Sequence, residues 1–216
     1  MNAAADELRS KWTTAHKAAI TGADVETRHQ QEWDDIEGAI GEPFLVSVKL
    51  PDAASGTSTG DLWRDHLYVD DNGKYHEKLT SWEERSLSME LANKQIVAWY
   101  RNPTRKPSSI GAYRQEGSRY YAVFPDFIVF RKTTSGPLPE IVDPHLLADP
   151  EAPGRARGLA RYAGAHAKSY GRIELVIYED RNDEIGKRID LLDEGKRNAV
   201  AKVDTHAHLQ ALFASL

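Results

Sequence analysis

The run VFPDFIVF, residues 123–130, narrows the possible folds more than any other stretch. Side chains on a strand alternate between faces. Phe124, Asp126, Ile128 and Phe130 therefore share one face, and Val123, Phe127 and Val129 the other. Both faces are apolar, so the strand needs a layer of structure above it and another below. Asp126 is the exception. A carboxylate taken out of water without a partner costs several kcal/mol or more, so something must pair with it.

A second aspartate poses the same problem in the next extended stretch, PEIVDPH. There Ile141, Asp143 and His145 share a face. If the two strands are neighbours, Asp126 and Asp143 converge at one end of the sheet, where two hard oxygen ligands plus water suit Mg²⁺. Two plainer readings stand beside this one. Asp143-Pro144 is also a strand-ending turn pair, and Asp126 alone reads as a core aspartate held by an arginine.

The surrounding pattern is layered α/β. SWEERSLSMELANKQ reads as a helix with a serine N-cap, acids in its first turn, and Trp82, Leu87 and Leu91 on one buried face. IVAWYRNP is a strand stopped by Asn-Pro, and SSIGAYRQEGSRYYAVFPDFIVF holds two strands around a Gly turn. GRARGLARYAGAHAKSY suits a helix with Leu159, Tyr162, Ala163 and His166 on one side, followed by the buried strand GRIELVIYED. Upstream, residues 1–40 read as two polar helices broken at TGAD. Residues 41–80 read as a strand (PFLVSVKLP), a small-residue loop and an Asn-Gly hairpin in HLYVDDNGKYHEKL. The expected organisation is a helical extension (1–40), a strand and hairpin segment (41–80) and an α/β domain (81–216).

Composition adds limits. With no cysteine there is no disulfide framework and no thiolate metal site, and a cytoplasmic setting is the default. No apolar stretch approaches the roughly 20 residues of a membrane span. The net charge of −5 hides an asymmetry. Residues 99–132 carry seven cations (Arg101, Arg105, Lys106, Arg114, Arg119, Arg131, Lys132) against two acids, and residues 151–174 carry five (Arg155, Arg157, Arg161, Lys168, Arg172) against two. Basic segments flanking the two aspartates are what a polyanion site needs. They are equally read as solvated surface; on the polyanion reading Arg101, Arg157 and Arg161 are the candidate DNA-backbone contacts.

The ordered set SWEERSLSMELANKQIVAWYRNP, YYAVFPDFIVF and IVDPH resembles the PD-(D/E)XK nuclease superfamily. More narrowly, it is similar to the nuclease-like domain at the C-terminal end of type III restriction subunits and related DEAD/DEAH phage-defence helicases. The resemblance covers roughly residues 60–216. It implies a restriction-endonuclease-like core of order α-β-β-β-α-β, Mg²⁺ or Mn²⁺ as cofactor, DNA as substrate, and a helicase or translocase in cis or in trans. Carried over, Asp126 matches the first metal-binding acid, Asp143 the second and Glu83 the helix glutamate, with Glu84 and Glu90 left open. Where the family has lysine this chain has His145. Histidine does part of that work when protonated, or as a neutral base, or by ligating metal itself, which favours Mn²⁺. Arg157 and Arg161, four apart on the following helix, are candidates to clamp the backbone or replace the lysine. The alternative is the same fold with its chemistry lost at His145, kept as a DNA-binding or partner-docking module.

Two other motifs lead nowhere. His206 and His208 in DTHAHLQ point apart if that stretch is helical, and no Gly-x-x-x-x-Gly-Lys-Ser/Thr loop is present for ATP.

Overall fold

The computed structural model describes Lys11 and residues 60–69, 73–104, 106, 109–116 and 119–215. The chain divides into a unit of Met1–Gly41 with Glu116–Tyr120 and a unit of Glu42–Gln115 with Tyr121–Leu216. The main sheet, its helices and the candidate site all belong to the second. The helices expected in residues 1–40, the strand PFLVSVKLP and most of the small-residue loop lie outside the described residues.

The described elements run β1 (Asp61–Trp63), β2 (Tyr75–Glu77), α1 (Ser81–Ala92), β3 (Ile96–Arg101), β4 (Ala112–Glu116), β5 (Arg119–Val123), β6 (Phe127–Thr133), β7 (Gly136–Leu146), α2 (Ala152–His166), β8 (Arg172–Tyr178), β9 (Lys187–Asp190), α3 (Glu194–Val200) and α4 (His206–Ala214). A five-stranded sheet has the order β3-β6-β7-β8-β9. Its neighbours are antiparallel except β7 and β8. That parallel pair needs a crossover, which α2 provides. The architecture is α/β, a mixed sheet flanked by helices.

β6 is covered on both sides, as its apolar faces require. Phe127 and Val129 pack with Leu87, Trp99, Val142, Val176 and Tyr178 beneath α1. Ile128 packs with Tyr100, Ile141, Leu175 and Ile177, and with Leu159 and Ala163 of α2. Small residues let α2 come close. A Cβ on Gly158 would lie 2.7 Å from the Tyr113 carbonyl oxygen, so only glycine fits there.

Four local expectations need correction. VFPDFIVF is not one strand, because β5 ends at Val123, β6 begins at Phe127, and Asp126 sits in the joint between them. Strands β4 and β5 form their own two-stranded ribbon outside the main sheet. Asp143-Pro144 does not end a strand, since both lie inside the 11-residue β7. Pro144 comes after the last β6 pair, Phe127–Val142, so it interrupts no ladder bond on that side. The fourth correction concerns the hairpin. β2 pairs with Asp61–Trp63 rather than with His66–Val69, because His66 turns aside to bridge Trp99.

α1 also differs in detail. Its N-cap is Thr80, not Ser81, and the Glu83 carboxylate accepts from both the Thr80 N–H and the Thr80 hydroxyl at 2.7 Å. The buried stripe is Glu83, Ser86, Leu87 and Glu90, while Trp82 and Leu91 are only half-buried. A stripe with two glutamates on it must meet cations. Glu90 lies 2.6 Å from both Arg172 and Arg188, and Glu174 and Glu140 join the same network through Arg188, Arg172 and Arg131. No helix among the described residues is long and apolar enough to cross a membrane.

His66 ties β2 to β3. Its ring stacks on Tyr75 at 3.5 Å and meets Trp99 edge-on. Its Nε2 accepts from the Arg101 N–H at 3.2 Å, which leaves Nδ1–H to donate to the Tyr68 carbonyl at 2.8 Å. Burial pushes this imidazole down to about 4, against the upward pull of the Tyr68 carbonyl. Between that value and the unfolded value of about 6.5, the unfolded chain takes a proton that the folded chain refuses. His66 therefore costs no stability above pH ~6.5 and destabilises progressively as pH falls to ~4, by roughly 3 kcal/mol in all. Urea denaturation from pH 7 to 4 should show that slope in the wild type and a shallower one in His66→Gln. Parallel slopes would mean His66 titrates normally in the fold.

Candidate functional site

Three strand ends meet at one end of the sheet, where β3 finishes at Arg101, β6 begins after Asp126, and β7 carries Asp143 and His145. One ligand atom each from Asp126, Asp143 and His145 lies within 4.8 Å of the others. The parity read from the sequence brings this about, since Ile141 and Ile128 share the α2-side core and Asp143 and His145 follow Ile141 on that face.

Asp143 has no exposed surface and needs internal partners. Its Oδ1 accepts from the Asp126 N–H at 3.1 Å, and its Oδ2 lies 2.9 Å from His145 Nε2. Arg155, in the first turn of α2, places Nη2 3.9 Å from Asp143 Oδ1 and Nε 2.9 Å from the same His145 Nε2. Arginine Nε–H only donates, so Nε2 cannot satisfy both neighbours at once. Burial and Arg155 push the His145 imidazole down, but Asp143 pushes it up and prevails. Burial raises the Asp143 carboxyl, yet His145, Arg155 and the Asp126 N–H outweigh it and hold it below the usual range.

Asp126 sits at the mouth, its side chain 16% exposed. Burial pushes its carboxyl up to about 6 against the opposing pull of Arg101. Arg101 Nη2 lies 2.7 Å from Glu83 Oε1 and 3.2 Å from Asp126 Oδ1, so one guanidinium bridges the helix acid and the joint acid. Burial would raise Glu83, but Arg101 and Thr80 overcome it and keep this carboxyl low. The plainer reading of Asp126 as an acid paired with an arginine therefore describes part of the site.

The structure separates the three glutamates of α1. Glu83 faces the site through Arg101, Glu90 belongs to the Arg172–Arg188 network, and Glu84 is raised by burial and by Asp61. Of the candidate DNA contacts, Arg101 is within the cluster. Arg157 instead bonds the Val203 carbonyl and lies 3.7 Å from Asp204, while Arg161 stacks over the Tyr113 ring. Arg155, which carries the α2 cation into the site, is not distinguished from its neighbours by sequence spacing. The signal for it is its closeness to Pro153 and Gly154 at the helix start, the end nearest β7. His206 opens α4 and contacts the Asp149 carbonyl, so the His-x-His pair lies on a helix.

Fold and site together define an α/β protein with an acid and histidine cluster at the end of a mixed sheet. Residues 64–216 match the YagJ family. The chain is also similar to Protein YagJ of Escherichia coli (strain K12), with 32% identity over 221 residues, covering 98% of this chain and 88% of that protein. It belongs to the YagJ family. No solved structure matches it.

Removing one partner of a buried ion pair leaves an uncompensated charge and typically costs about 3–5 kcal/mol. Arg101→Met strands two acids and should cost roughly 3 kcal/mol at pH 7 by urea denaturation. Adding Glu83→Gln and Asp126→Asn should recover most of that loss. An unchanged midpoint in the single variant would show that the acids find their compensation elsewhere.

Proposed function

We propose that this chain carries a metal-dependent nuclease-type site of the PD-(D/E)XK kind, which hydrolyses phosphodiester bonds in DNA. The observation that carries this reading is the convergence of Asp126, Asp143 and His145 within 4.8 Å. The element order supports it. With the β4–β5 ribbon set aside, the run α1, β3, β6, β7, α2 and β8 is compatible with the α-β-β-β-α-β order that the sequence resemblance implies, with Asp126 leading β6 and Asp143 within β7.

The donor set suits a divalent cation. Two carboxylates and one imidazole favour Mn²⁺ over Mg²⁺, and an ion at His145 Nε2 would replace the proton or the Arg155 N–H that meets this nitrogen. Asp126, Asp143 and His145 would hold it. The chemistry supplied at that place would be Lewis-acid polarisation of a phosphate oxygen and activation of water. The chain's own residues do the rest. Arg155 keeps His145 and Asp143 in place from α2, Arg101 holds Asp126 against Glu83, and the exposed edge of Asp126 marks the side from which a phosphate enters. A helicase or translocase partner rests on the sequence resemblance alone.

A second reading draws on one specific observation. Every acid of the cluster already has a cationic partner, Arg101 for Glu83 and Asp126, and His145 with Arg155 for Asp143. Together with His145 in place of lysine, this favours a nuclease fold that binds DNA or a partner without cutting.

Supercoiled and linear DNA incubated with Mg²⁺ or Mn²⁺ distinguishes the two. On the first reading the wild type cuts, better with Mn²⁺, and Asp126→Ala loses roughly 100-fold or more. Cutting that survives Asp126→Ala places the chemistry elsewhere, and DNA binding without cutting selects the second reading.

A further inference from the structure

The position of Arg101 limits how many ions the cluster can take, a conclusion that rests on the metal reading above. Its Nη2 lies 2.7 Å from Glu83 and 3.2 Å from Asp126, the point where an ion shared by those two acids would have to sit. Metal–oxygen distances for hard cations are about 2.0–2.6 Å, so guanidinium and ion cannot both occupy it.

Arg101 is also fixed. Its N–H is bonded to His66, its guanidinium lies 5.0 Å from the Phe127 ring centre, and the next residue's N–H donates to the Asp126 carbonyl. Glu83 is no freer, because its second oxygen accepts from both the N–H and the hydroxyl of Thr80. The Asp143 side differs. There Arg155 Nε approaches His145 Nε2 to 2.9 Å, but its Nη2 stays 3.9 Å from Asp143, so no guanidinium bridges two acids on that side.

We infer that Arg101 is the resident cation of this site. It replaces a second divalent ion beside Glu83 and Asp126, removes Glu83 from the ligand set, and restricts the cluster to one ion on the Asp143–His145 side. Arg101 is thus a positioning residue that sets metal stoichiometry.

Mn²⁺ binding to the full chain, read by electron paramagnetic resonance and titration calorimetry, tests this without any activity. The wild type should bind one Mn²⁺. Glu83→Gln should keep that ion with an affinity within about threefold, and Asp143→Asn should lose about 100-fold. Arg101→Met should admit a second ion. Two ions in the wild type, a loss of about tenfold or more in Glu83→Gln, or a folded Arg101→Met that still binds one ion would each overturn the inference while leaving the metal reading intact. No Mn²⁺ bound by the wild type would remove both. If Arg101→Met fails to fold, Glu83→Gln decides, since glutamine at that position preserves the capping acceptor.

Discussion

A carboxylate with no exposed surface can stay charged only if the chain brings donors to it, and Asp143 organises its end of the sheet on that condition. Its three partners come from three places: the N–H of the joint before β6, the imidazole two residues on in its own strand, and the guanidinium in the first turn of α2. Satisfying one group therefore fixes where β6 starts, where β7 runs and how α2 enters. Arg101 repeats this from the other side of the sheet, tying α1 to the joint through Glu83 and Asp126. The sheet end is thus held by charge, whereas its middle is held by Leu87, Trp99, Val129 and their neighbours.

α1 shows how far this extends. Glu83 and Glu90 lie seven residues apart, two turns of one face. The first meets Arg101, and the second meets Arg172 and Arg188. Each ion pair adds to the close packing of that stripe a second constraint on its register, because any shift strands a buried charge. The six-charge network of Glu90, Glu140, Glu174, Arg131, Arg172 and Arg188 is formally neutral, so it fixes geometry without adding a field of its own.

Periodicity accounts for what was legible in the sequence. On strands the two-residue repeat puts Asp143 with Ile141, and the core bears out that face through Ile141, whereas Asp126 lies in the joint before β6, outside the repeat that was read across it. Periodicity cannot show that the run breaks at Pro125, since the apolar pattern continues unbroken across the joint. Nor can it show the β4–β5 ribbon leaving the sheet, which depends on long-range pairing. On helices the repeat is less informative. α2 buries small residues over much of its circumference, from Ala152 to Ala163, so its face toward β7 is not marked. That is why Arg155 does not stand out in the sequence, while Arg157 and Arg161, evenly spaced, do. His66 is invisible for a different reason: a lone histidine in an extended stretch shows nothing of the ring stack it joins.

Counting charges at the site connects structure to substrate. Glu83, Asp126 and Asp143 supply three negative charges, Arg101 and Arg155 two positive ones, and His145 a third when protonated. The cluster by itself is therefore near neutral or mildly acidic and has little attraction for a phosphodiester. On the proposed reading, one dication reverses that sign, while a second would need the place Arg101 holds. A site built this way ties recognition of a polyanion to occupancy by a single metal ion, because the field that draws the phosphate and the ion that would act on it arrive together.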